Sequence, residues 1–416
     1  KAYMTATSNL IDQEKMAVIL QEVVGQEYAS GFYPTISGVG RSINYYPIGD
    51  EKADEGVVEL ALGLGKYIVD GGLCLRVCPH HPDKVLQTSE MEIALRETQT
   101  SFFALDTSPV DGAGQQGLQF QVDDAFNLKR VTVRDADKDG SLRWIVSTYD
   151  PYDQCIYDGY YEGKNRKIVS FSGVLQNDVF PLPELLRKVL DYGQKEMGRP
   201  VEIEFAVNLH DNKQGEFYLL QIRPMVDNQM ELNEDLVKIP DEDCLIRSHS
   251  AIGHGVVSDI YDIVYVKTEN YNASENTVIA DEIEQINRGF LQRGENYVLV
   301  GPGRWGSSDS WLGIPVKWPN ISAAKVIVEA GLRNFRVEPS QGTHFFQNLT
   351  SMGVGYFTVN DFIGDGVYNQ KLLNSMSAVE ETAHVRRVRF SAPIVMKIDG
   401  MKKEGVVLLP SVESAS

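Results

Sequence analysis

Residues 201–226 read VEIEFAVNLHDNKQGEFYLLQIRPMV, and this stretch narrows the fold of the 416-residue chain more than any other. Side chains alternate faces along a strand, so Glu202 and Glu204 share one face while Val201, Ile203 and Phe205 share the other. In the return run Leu219, Gln221 and Arg223 fall together, opposite Tyr218, Leu220 and Ile222. The intervening HDNKQG is polar, turn-prone and ends in Gly215, which predicts an antiparallel hairpin. Two carboxylates, a carboxamide and a guanidinium then converge on one side of a sheet.

Such a set has two readings. It forms a structural ion pair, or it supplies hard oxygen ligands for Mg²⁺, which commonly bridges one or two protein carboxylates to substrate phosphates. In the second reading Arg223 adds a fixed positive charge that grips a phosphoryl oxygen. Phosphoryl transfer needs this combination of metal and cationic donors.

Lys and Arg total 39 against 58 Asp and Glu, a net charge of −19, which argues against nucleic acid or anionic membrane as a partner. No apolar run approaches the roughly 20 residues that span a bilayer, and no signal peptide opens the sequence. The four cysteines, Cys74, Cys78, Cys155 and Cys244, are too few for a disulfide scaffold and point to a reducing cytoplasm. Cys74 and Cys78 precede His80 and His81, but the spacing does not suit a zinc knuckle. CLRVC reads instead as a strand ended by Pro79.

Elsewhere, alternating and apolar runs interleave with amphipathic ones, an α/β or α+β pattern. QEKMAVILQEVVG (13–25) predicts a short strand, and the glycines of ALGLG and DGG suit tight turns or close backbone approach. RDADKDGS imitates a calcium loop, yet Val146 stands where that loop needs Glu, so a hairpin turn between the strands VTVR and LRWIV is expected. PLPELLRKVLDYGQKEMGRP (181–200) predicts a helix with Leu185, Leu186, Val189 and Leu190 as its stripe. The acidic 225–243 stretch reads as a linker or boundary. Beyond it IVYVK and YVLVG predict buried strands, and TVIADEIEQINRGFLQR and ISAAKVIVEAG predict helices.

EIEFAV…GEFYLLQIRPM resembles the end of the nucleotide-binding domain of the phosphoenolpyruvate synthase and pyruvate phosphate dikinase family. MAVILQEVVG, SGVGRSINYYPIGD and LGLGKYIVDGG resemble further segments of it in the same order. The resemblance implies the C-terminal part of an ATP-grasp domain over residues 1–228, a linker over 229–243 and a second α/β domain over 244–416. It implies ATP and Mg²⁺ as cofactors, with Glu204 and Gln221 as metal ligands. Glu202 then holds nucleotide or metal, Arg223 contacts the phosphates, and Glu202 and Arg223 act in catalysis. The backbone of Gln21, Glu22, Val23 and Val24 lies along the adenine. The implied activity is dikinase-type phosphoryl transfer from ATP to a histidine, with pyruvate or phosphoenolpyruvate engaged through other domains.

Three departures qualify that expectation. The chain starts a few residues before the adenine-side strand, which implies a missing first ATP-grasp lobe and an inactive isolated chain. Lys66 replaces the usual Glu after GLG. The family's phosphohistidine motif is absent, leaving His249, His254 and His344 as candidate acceptors. GPGRWGSSD (301–309), with Arg304, Ser307, Ser308 and Asp309, reads as an anion loop or as a turn anchored by Trp305 and Trp311. A nucleotide-sensing or partner-binding module and an acyl-phosphate-forming ATP-grasp ligase are the rival functions.

Overall fold

The computed structural model describes residues 19–107, 127–163, 165–210, 214–225, 234–269, 271–307, 313–332 and 353–410. It has the mixed α/β character expected from the sequence, with separate hydrophobic cores before and after the acidic 225–243 stretch.

The expected hairpin forms from Val201–Leu209 and Gly215–Pro224 and lies at the edge of a five-stranded antiparallel sheet. Inward from it come Ile36–Arg41, Val57–Ala61 and Leu75–Val77. One face of the sheet is covered by the helix Leu182–Met197, which buries Leu182, Leu186 and Leu190 and ends at Gly198 in the left-handed conformation (φ 66°). Leu185 and Val189 of the expected stripe are partly buried against the same core. Gly38 faces this core directly opposite Phe205, whose ring occupies the space a Cβ would need (2.2 Å from Cζ). The opposite face is the polar one.

A β-bulge revises the expected faces of the return strand. Glu204 pairs with Gln221 but Phe205 pairs with Leu219, so Leu220 is the extra residue. Leu219 therefore leaves the Gln221–Arg223 face and lies opposite Phe205. The bulge lets Phe217 stack on Phe205 (5.2 Å between ring centroids) while Gln221 and Arg223 keep the polar side.

After residue 243 a ten-stranded mixed sheet dominates. His254–Val266, Tyr297–Pro302, Ala324–Ala330 and Gly355–Val359 run parallel, and the helix Asn276–Arg293 crosses between the first two. Val385–Asp399, Glu404–Leu408 and Cys244–Ser248 continue the sheet antiparallel on the other side of His254–Val266.

Three further expectations are corrected. Ile19–Gly25 form no strand: Ile19 and Leu20 are about nine-tenths exposed, and the first described strand is Gln26–Tyr28. The start of QEKMAVILQEVVG lies outside the described residues. RDADKDGS is no hairpin, because Thr132 caps a helical turn Val133–Ala136 through Asp135 N (3.1 Å). The strands on either side, Leu128–Thr132 and Val146–Asp150, join different sheets, and LRW forms turns rather than strand. ISAAKVIVEAG is a short helix Trp318–Ile321 followed by the parallel strand Ala324–Ala330, whose β-branched run is buried on both faces. The 234–243 part of the acidic stretch, expected as a linker or boundary, packs against the strand that follows it. Leu236 is buried, and Leu236 O, Ile239 O and the Asp241 carboxylate all accept from the buried Arg247 guanidinium.

Candidate functional site

The polar sheet face is built from one side chain per strand in lateral rows. Directly across the hairpin Glu202 pairs with Arg223, and across the next ladder with Arg41. Glu202 Oε1 accepts from Arg223 Nε at 3.0 Å and from its terminal nitrogen, and Glu202 Oε2 accepts from Arg41 Nε at 2.8 Å. Glu59, one row along and opposite Val39, lies 4.0 Å from Arg41. Arg76, opposite Glu59 on the next strand, turns to Glu51 (2.7 Å) and to Tyr46 O (2.9 Å).

Burial by itself would raise the Glu202 pKa. Its bond from Arg223 and the nearby Arg41 charge outweigh that and hold the carboxyl below the usual glutamate range. A depressed folded pKa gives stability that is complete above the free value of 4.5 and lost as pH falls through the lower folded value. Thermal unfolding of the native chain and Glu202→Gln, compared from neutral pH into acid, should differ at neutral pH and converge at the acid end. A gap independent of pH would assign the effect of the substitution to packing instead.

One row along, Glu204 and Gln221 face each other across the hairpin. Unlike Glu202, Glu204 makes no ion pair among the described residues. Two oxygen donors thus stand side by side, Glu204 half-buried and Gln221 exposed, next to a pair of arginines. This is the local chemistry of a hard divalent cation between carboxylate and phosphate.

The segment Gln21–Val24 passes beside the hairpin edge, with Gln21 Nε2 donating to Leu220 O (3.2 Å). Gln21, Glu22 and Val23 are exposed and Val24 is half-buried. Asn208 Nδ2 donates to Gly25 O (3.4 Å), which ties the segment's end to the opposite strand of the hairpin. Farther across the face a cleft of about 600 Å³ is lined by Arg41, Tyr45, Tyr46, Glu59, Arg76 and Met225, among others.

A family model for the AMP/ATP-binding domain of pyruvate phosphate dikinase matches residues 1–243. The chain belongs to that family. No curated protein matches it. The span matched to this AMP/ATP-binding domain contains the whole polar sheet face, the Gln21–Val24 segment and the helix that backs the sheet.

Several residues of this dikinase-type face escaped the sequence reading. Arg41, Glu59, Arg76 and Glu51 complete the charged rows. Alternation along Ile36–Arg41 alone would place Arg41 opposite Gly40, but nothing local says that this strand lies beside Glu202. Lys66, at the position where the family carries Glu, bonds Asp70 one helical turn on (3.1 Å).

Two of the candidate acceptors, His249 and His254, lie at the far sheet. His249 Nδ1 hydrogen-bonds the Glu404 carboxylate (2.9 Å), and the His254 ring stacks on Tyr45 at 4.4 Å. His344 is outside the described residues, as are Ser308, Asp309 and Trp311. Trp305 does anchor its turn: it is buried, and its indole N–H donates to Val328 O (2.9 Å). Among the described residues no helix is long and apolar enough to cross a membrane.

Proposed function

We propose that this chain binds Mg·ATP on the polar face of the five-stranded sheet and takes part in dikinase-type phosphoryl transfer from ATP to a histidine, on the way to pyruvate or phosphoenolpyruvate. The observation that carries the reading is the pairing of Glu204 with Gln221 beside the Arg223–Glu202–Arg41 row. In this reading Glu204 and Gln221 hold Mg²⁺, which neutralises phosphate charge and orients the phosphoryl group. Glu202 keeps Arg41 and Arg223 fixed in orientation, and their outer N–H groups meet the phosphate oxygens. Gln21–Val24 runs along the adenine. Residues 1–228 form the nucleotide domain, 229–243 the connection and 244–416 a second domain.

The loop between Ile36–Arg41 and Val57–Ala61 supports communication between the two parts. Tyr46 and Ile48 pack against the core of the second part, and Gly253 N donates to Tyr45 O (3.1 Å). Glu51 fastens the same loop to Arg76 on the polar face.

Calorimetric titration with Mg·ATP tests the reading. Binding in the millimolar range or tighter is expected, and Arg223→Ala should weaken it by about tenfold, the loss of one charge-assisted contact. Incubation with radiolabelled ATP should then leave an acid-labile, alkali-stable label on protein, the behaviour of phosphohistidine. ATP affinity unchanged in Arg223→Ala would remove the guanidinium from the site, and binding without any label would favour a nucleotide-sensing module.

A further inference from the structure

A second cluster of donors lies off the polar face, where the turn Ala53–Glu55 meets the end of the strand Leu75–Val77. The Glu55 carboxylate, the Cys78 thiol and the His81 ring converge there. Glu55 Oε2 is 3.1 Å from His81 Nε2 and 4.0 Å from Cys78 Sγ, and the three donor atoms all lie within 4.8 Å of one another. The cluster is held from outside. Lys52 N donates to Glu55 Oε2 (2.9 Å), His81 N donates to Cys78 O (2.9 Å), and the His80 ring bonds Glu55 O (3.1 Å).

We infer that Glu55, Cys78 and His81 form a binding site for one zinc-class divalent cation, with a fourth coordination position open to solvent. Bonds of zinc to sulfur, nitrogen and oxygen place tetrahedral ligand atoms roughly 3.3–3.6 Å apart, so side-chain shifts of about 1 Å close the site. A mixed thiolate, imidazole and carboxylate set selects zinc over magnesium or calcium, which take oxygen alone. The molecule then has two cation sites of opposite character: the oxygen pair Glu204–Gln221 and this softer one. Contacts to the backbone N–H of Lys52 supply the outer support that orients a ligating carboxylate. Partial exposure of the Glu55 and His81 side chains gives the cation a way in.

The reading of Cys74, Cys78, His80 and His81 as a local motif missed this arrangement because the third ligand comes from residue 55. Cys74 takes no part; it lines the cleft on the polar face. Binding breaks the S–H bond as the metal–sulfur bond forms, His81 ligates as the neutral ring, and one proton passes to solvent per cation. A bound cation pins the Ala53–Glu55 turn to the strand that carries Arg76, and so stiffens the edge of the nucleotide face.

The test is anaerobic titration of the metal-free full chain with cobalt(II), followed by displacement with zinc. One equivalent should bind, with a thiolate-to-cobalt charge-transfer band in the near ultraviolet, release of one proton, and loss of the band on adding zinc. Cys78→Ser should remove the band, and His81→Gln should weaken binding by more than roughly tenfold, the least expected when even an outer-shell partner is lost. Cys74→Ser and Glu204→Ala should change neither, which separates this site from the nucleotide face. If Cys78→Ser does not fold, the partly exposed His81→Gln decides the matter. No band in the folded native chain, a band that survives Cys78→Ser, or unchanged affinity in His81→Gln would each overturn the assignment.

Discussion

Glu204→Ala is expected to remove the magnesium-dependent part of ATP binding while leaving the fold intact. Glu204 makes no ion pair among the described residues and projects from a strand whose core side chains, Ile203 and Phe205, point the other way. Truncating it strands no buried charge and opens no cavity, so the midpoint of thermal unfolding should hardly move. Affinity measured with excess Mg²⁺ should fall at least tenfold, about 1.4 kcal/mol. Affinity measured in chelator should not change, since the arginines remain. Gln221→Ala should act in the same direction but less, because a neutral carboxamide attracts a divalent cation less than a carboxylate does.

Glu202→Ala is the informative contrast. It leaves Arg41 and Arg223 facing each other without the carboxylate between them, so binding and stability should fall together in that variant. Equal ATP affinity in native and Glu204→Ala chains at saturating Mg²⁺ would show that the cation sits elsewhere.

The hairpin was legible because its polar residues interrupt a clean period of two, while its cross-strand pairs, Glu202 with Arg223 and Glu204 with Gln221, are set by the register beyond the bulge. The Leu220 bulge was not legible, since a residue inserted without pairing leaves no mark in hydrophobicity, and it moved Leu219 to the other face. Nor was the neighbour of the hairpin. Glu202 meets Arg41 across 161 positions of sequence, and antiparallel order between distant strands is set by packing rather than local pattern. Gly38 carried a faint signal of it, because a glycine in a strand often marks a close approach, here the Phe205 ring. Ala324–Ala330 was taken for a helix because a strand covered on both faces has no period-two signature. The Glu55–Cys78–His81 cluster joins a turn to a strand end and is invisible until the sheet is assembled.

The same sheet logic gives the largest expected loss of stability, at Asp262 in the second part of the chain. Asp262 lies inside the central strand His254–Val266 with a side chain only 2% exposed. It accepts from Arg387 Nε at 2.9 Å and from Arg389 at 3.0 Å, both on the paired strand Val385–Asp399. Arg387 is itself buried, with its guanidinium 4.5 Å from the centre of the Phe290 ring, while Arg389 reaches outward to Glu295 (3.3 Å). Removing the carboxylate leaves Arg387 desolvated, with, among the described residues, only the partly exposed Glu380 at 3.7 Å as an anionic partner. Asp262→Ala should therefore cost about 3–5 kcal/mol, the range for breaking one side of a buried pair. Urea denaturation measures the loss, and hydrogen exchange of the His254–Val266 amides should accelerate with it. Asp262→Ala combined with Arg387→Met should recover much of the stability, since an apolar pair of similar volume is often as stable as a buried ion pair. Glu184→Ala on the exposed Glu184–Lys188 pair is the control, expected to leave stability nearly unchanged. A loss below about 1 kcal/mol for Asp262→Ala would mean that water reaches Arg387 readily and that the strand pairing does not depend on this charge.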